Sequence, residues 1–121
     1  MRITPKLVDT CIDTIAAICR NPSLREYIIG FTALDAVEKG NHYRRIGFDH
    51  LVVLADKMNR PSALDLEGRI QSRIFSGENR KLFNKYHAEK RVNGHVYQSY
   101  GGSPRDGADL NQSVYMVWWE E

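Results

Sequence analysis

The chain has 121 residues, 42% of them hydrophobic and 26% charged, with a formal net charge of +2. That length supplies one core but not two, so a single folded domain over residues 1–121 is expected. No run reaches the roughly 18 apolar residues of a membrane span. The start, MRITPKLVDTC, lacks a basic head followed by an apolar core; the expectation is a cytoplasmic protein with no membrane partner.

The opening TPKLVDTCIDTIAAICRNP predicts a helix. Thr4 is placed to cap it, Pro5 is tolerated in its first turn, and Asn21-Pro22 ends it. Leu7/Val8, Cys11/Ile12, Ile15/Ala16 and Ile18/Cys19 form its apolar stripe, and Leu7, Cys11, Ile15 and Ile18 should pack it on a sheet. Cys11 and Cys19 lie roughly 12 Å apart along that helix, beyond disulfide reach, and read as buried thiols. REYIIGFT, with its β-branched and aromatic residues, predicts a strand. TALDAVEKG follows as a short helix with a capping-box pattern at Thr32 and Asp35 and a stop at Gly40. FDHLVVLAD is a second strand, with His50 as a strand-face residue. NRPS is a loop whose Ser62 caps the helix SALDLEGRIQSRIF. NRKLFNKYHAEKR suggests another helix, VNGHVYQSYGGSPRDGADLNQ turns and loop, and SVYMVWW a third strand.

Charge is distributed unevenly along these elements. Residues 39–105 hold thirteen Lys/Arg against six Asp/Glu, whereas residues 106–121 hold none against four. A polyanion would be met by the middle of the chain.

Glu67 is the residue out of pattern in SALDLEGRIQSRIF. Ala63, Leu66, Ile70 and Ile74 make a core-facing stripe, and on a wheel of about 100° per residue Glu67 falls at its edge beside Ala63 and Ile74. An ionised group there is costly unless paired. One reading is an ion pair with Arg44, Arg45 or Arg69. The other is a metal ligand, because Mg²⁺ is commonly held by one or two carboxylates plus phosphate and water. Lys39, His42, Tyr43, Arg44 and Arg45 crowd one short segment; they suit phosphate binding and proton transfer, and equally a solvated helix end. Lys85, His87, Lys90 and Arg91 interleave with Phe83, Tyr86, Tyr97 and Tyr100 as in a groove that grips a nucleic-acid backbone and stacks on bases. The four histidines have no tight metal-ligand spacing and there is no paired-cysteine motif, which argues against structural zinc.

Taken together, YIIGFTALDAVEKGNHYRRIGFDHLVVLADKMNRPSALDLEGRIQ resembles the GIY-YIG nuclease superfamily, over residues 27 to about 75. The resemblance implies an α+β fold, a small three-stranded antiparallel sheet flanked by helices, here with an added N-terminal helix. It places Ile28-Ile29-Gly30 at the second motif, with Tyr27 one position before the family's tyrosine. Lys39 falls near the family's helix arginine, and His42 and Tyr43 fall where it carries a histidine or tyrosine. Glu67 falls at its metal-binding glutamate, and Asn79 or Asn84 at its late asparagine. The first GIY strand is missing. That strand is central in the family; it is an inference from this sequence, not a family feature, that SVYMVWW, the only spare strand, replaces it and that Tyr115 stands in for its tyrosine.

The implied activity is Mg²⁺-dependent cleavage of DNA phosphodiesters. Tyr27, Lys39, His42, Tyr43, Arg44, Arg45, Glu67 and Tyr115 would form the site, with Glu67 on the metal. Two alternatives stand beside it. One is an inactive nucleic-acid-binding module of the same fold. The other is a small protein-binding adaptor or inhibitor, of the kind mobile elements encode, using its aromatic C-terminal region as the contact.

Overall fold

The computed structural model describes residues 2–33, 50–87 and 111–120. They form α1 (Pro5–Cys19), β1 (Leu24–Thr32), β2 (His50–Met58), α2 (Arg60–Phe75), α3 (Arg80–Lys85) and β3 (Gln112–Glu120). Of the expected helix at TALDAVEKG, Thr32 is the last residue of β1 and residues 34–40 lie outside the described residues, as does the expected loop at VNGHVYQSYGGSPRDGADL. No helix among the described residues is long and apolar enough to cross a membrane.

The three β-rich runs are all strands and make one antiparallel sheet of order β1-β3-β2. The last strand is therefore the central one. Ile28 pairs with Val117 and Gly30 with Tyr115 on one side, while Leu51 pairs with Val117 and Val53 with Tyr115 on the other. Alternation along each strand sends side chains to opposite faces. Tyr27, Ile29, Phe31, Val114 and Met116 join the helices in the main core. Ile28, Tyr115 and Val117 form a smaller cluster with Leu51 and Trp119 on the other face.

α1 begins as its sequence predicts: Leu7 N–H donates to Thr4 Oγ1 at 3.1 Å, with Pro5 in the first turn. Its buried residues, Val8, Cys11, Ile15 and Cys19, all belong to the expected stripe, while Leu7 and Ile18, expected at the packing face, are half-buried. That difference has a packing cause. α2 already lies across β1 and β3, so α1 rests mainly on α2 and α3 and reaches the sheet at β2. Each fully buried Ile in such a stripe stabilises by about 1.5–3 kcal/mol. Both cysteines are free and buried. Burial pushes the Cys19 thiol up to about 12, against the lowering pull of Lys85 and Lys81, and raises Cys11 as well. Thiols held protonated in this way are poor nucleophiles.

Two boundaries differ from expectation. α2 starts earlier, because Asn59 rather than Ser62 is its cap: Ser62 N–H donates to Asn59 Oδ1 at 2.9 Å, and Pro61 takes a first-turn position. α3 stops at Lys85 because Tyr86 turns to extended backbone and forms a parallel bridge with Tyr27. Tyr86 is fully buried there, and His87 N–H donates to Tyr27 O at 2.9 Å. Another helical turn would have left that aromatic ring and that edge of β1 without this packing.

Candidate functional site

Glu67 lies deeper than its wheel position suggests. It is 0% exposed, on the same buried face of α2 as Ala63, Leu66, Ile70 and Ile74. A carboxylate in that setting persists only with an offsetting charge or hydrogen bonds. Of the three basic partners considered, Arg69 is committed elsewhere: its Nε donates to Asp65 Oδ1 at 3.0 Å, one turn back on the exposed side. Arg44 and Arg45 lie outside the described residues, as do Lys39, His42 and Tyr43.

One turn beyond Glu67, Gln71 is also 0% exposed. Its Nε2 donates to Ile29 O at 3.4 Å and to Tyr86 Oη at 3.3 Å. Ile29 N–H in turn donates to Tyr86 Oη at 3.4 Å. Past the Tyr27–Tyr86 bridge, then, two side chains satisfy the outer edge of β1 where a fourth strand would otherwise do so. Sequence reading missed Gln71, although its spacing of four from Glu67 and three from Ile74 puts it on the same face.

Tyr27 is fully buried, its hydroxyl donating to Leu82 O at 2.8 Å and its ring edge-on to Tyr86 at 5.1 Å. Tyr115 is 1% exposed on the opposite face of the sheet, directly across from Gly30. A Cβ built on Gly30 would fall 2.5 Å from the Tyr115 hydroxyl oxygen and 2.7 Å from Cζ. Glycine is thus required there for close approach: the tyrosine passes over the backbone of β1. Tyr27 and Tyr115 point to opposite sides of the sheet and do not converge.

The residues expected to grip nucleic acid have definite positions where they are described. Lys85 Nζ donates to Cys19 O at 3.1 Å and Asn21 O at 3.3 Å, so it neutralises the carbonyl end of α1. His87 Nδ1 lies 2.6 Å from Glu26 Oε2, with the ring edge-on to Trp119 at 6.0 Å. Lys90 and Arg91 lie outside the described residues. Of the two candidate asparagines, Asn79 caps α3 by accepting from Lys81 N–H and Leu82 N–H, and Asn84 is exposed. His50 stacks on Trp118 at 5.2 Å and lies 3.6 Å from Glu120 Oε1, as suits a strand-face residue.

Among the described residues no group of three or more His, Cys, Asp or Glu side chains gathers to hold a metal. Among the described residues the oxygen-bearing side chains on the buried face of α2 are Ser62, Glu67 and Gln71. Glu67 is the one carboxylate among them, and Mg²⁺ is commonly held by one or two carboxylates plus phosphate and water. No protein-family model, curated protein or solved structure matches the chain.

Proposed function

We propose that this chain is a GIY-YIG-like domain acting on nucleic-acid phosphodiesters, with Glu67 as its Mg²⁺ ligand. The observation that carries the reading is a fully buried carboxylate on the sheet-covering face of α2. Two features support the family resemblance. β3 occupies the centre of the sheet, the place that the missing first strand holds in the family. From that centre Tyr115 lies against Gly30 of Ile-Ile-Gly, so a tyrosine from a central strand meets the second motif. Bound Mg²⁺ would supply Lewis acidity at a phosphate oxygen. Glu67 would hold the ion, and Lys39, Arg44 and Arg45 would neutralise the phosphate.

The test is plasmid nicking with and without Mg²⁺, in wild type and in Glu67→Gln, which keeps shape and removes charge. Cleavage is expected only for wild type with Mg²⁺, at least about 100-fold above the variant, or about 2.7 kcal/mol of barrier. Equal cleavage by both proteins would end the assignment.

A second reading has its own support. Tyr27 spends its hydroxyl on Leu82 O inside the core, which suits a fold that binds nucleic acid without cutting it. In that case binding would remain, falling as salt rises with a log–log slope near −0.9 per phosphate contact, and no Mg²⁺-dependent nicking would appear.

A further inference from the structure

Two arginines of α2 are paired with carboxylates, Arg69 with Asp65 and Arg73 with Asp9 and Glu78. Arg20, Arg80 and Lys81 differ. All three are exposed, and among the described residues none has a carboxylate within ion-pair distance. They come from two elements that the fold brings together. Arg20 is the C-cap of α1. Lys85 of α3 donates to Cys19 O and Asn21 O, on either side of Arg20, and Lys81 stands close enough to the Cys19 thiol to exert a lowering pull on it. α3 itself presents a basic arc. At about 100° per residue, Arg80, Asn84 and Lys81 follow one another round its exposed side, away from the buried Leu82. RKLFNK contains no acidic residue. The Arg80 guanidinium carbon lies 5.9 Å from the centre of the Phe83 ring, and an aromatic ring orients a cation without cancelling its charge as a carboxylate would.

We infer that Arg20, Arg80 and Lys81 form a track for the sugar-phosphate backbone of nucleic acid, running from the C-terminus of α1 across α3. The inference rests on the reading of the chain as a domain that binds nucleic acid, and it adds a contact surface outside the residues that reading uses. Cations gathered without counter-charge repel one another, and a polyanion relieves that repulsion. Arginine meets a phosphate through two parallel N–H donors, and lysine meets it as a point charge. Lys85 has a different part. Its ammonium is committed to two carbonyls of the α1 end, so it sets α3 against α1 and leaves the track to its neighbours. Arg80, Asn84 and Lys81 include no apolar anchor of the kind that a protein pocket or a lipid surface takes up. A phosphate backbone needs only spaced cations.

The experiment follows the fluorescence anisotropy of a labelled single-stranded oligonucleotide, and of the matching duplex, as salt is raised. It compares wild type with the triple variant Arg20→Gln, Arg80→Gln, Lys81→Gln. Loss of three phosphate contacts should flatten the log–log slope by about 2 on the single strand and about 2.7 on the duplex, with at least about tenfold weaker binding at low salt. Each single variant should remove about a third of that change, so the result does not depend on the triple variant folding. Arg2→Gln with Lys6→Gln, exposed positions at the other end of α1, is the charge control and should leave the slope as it is. If wild type binds with salt-dependent affinity and the variants keep its slope, this inference is overturned and the nucleic-acid reading stands. An equal flattening in the Arg2 and Lys6 control overturns it as a general effect of net charge. No binding of either oligonucleotide by wild type overturns both, whether or not anionic phospholipid vesicles are bound.

Discussion

A methyl group on Gly30 would have to share space with the Tyr115 hydroxyl and Cζ, which lie 2.5 and 2.7 Å from its position. The ring is 1% exposed and cannot swing into solvent. Overpacking of this kind costs typically about 1–3 kcal/mol, so Gly30→Ala should lower stability by that amount in urea denaturation. Tyr115→Leu should remove most of the penalty, making the double variant much less than additive; additive losses would show that Gly30 matters for another reason. Part of this was legible beforehand. The Ile-Ile-Gly motif and the candidate role of Tyr115 came from the sequence, but their contact depends on β3 lying next to β1 with Tyr115 opposite Gly30, which no local pattern encodes. Glu67 announced itself because a charge on an apolar stripe is conspicuous. Gln71 did not, because an uncharged polar residue at a stripe edge is commonplace.

At the scale of elements, α1 shows how sequence and packing share the outcome. Thr4, Pro5 and Asn21-Pro22 are local signals, and they mark its ends as read. Its neighbours are long-range facts: within the stripe Val8 and Cys19 are buried while Leu7 and Ile18 are only half-buried, because helices, more than the sheet, lie beneath it. The end of α3 was equally illegible, since Tyr86 leaves the helix for a strand edge nearly 60 residues earlier. Lys85, the last residue of α3, ties these two elements together through Cys19 O and Asn21 O. A cation at a helix C-terminus contributes about 0.3–1 kcal/mol. Lys85→Ala should therefore lower stability by that amount in thermal melts and leave any nucleic-acid affinity nearly unchanged. An affinity loss with unaltered stability would return Lys85 to the nucleic-acid surface.

The whole molecule is organised around a strand that arrives late in the chain. β1 and β2 never touch as neighbours; each is joined to β3, and Ile28 pairs with Val117 across 89 positions. Non-local pairing must meet its loop-closure entropy before contacts repay it, and folds dominated by such pairing fold in milliseconds to seconds. Refolding followed by the fluorescence of Trp118 and Trp119, both half-buried probes on β3, should fall within about that window. A microsecond phase carrying the full amplitude would show that the sheet is not the slow step. The resemblance pointed to a spare strand at the sheet's centre, and the sheet has its last strand there.

A central strand encoded late has a consequence for the chain as it is being made. β1 is complete at Thr32 and β2 at Met58, yet their shared neighbour begins only at Gln112. At 5–20 residues per second, β1 waits roughly 4–16 s on the ribosome before that partner exists. Throughout that interval, among the described residues, neither strand has its strand partner, the condition that invites pairing with other chains. The nascent protein is therefore a natural client for holding chaperones until β3 has emerged, and a message truncated before it yields a product without the strand that joins β1 to β2.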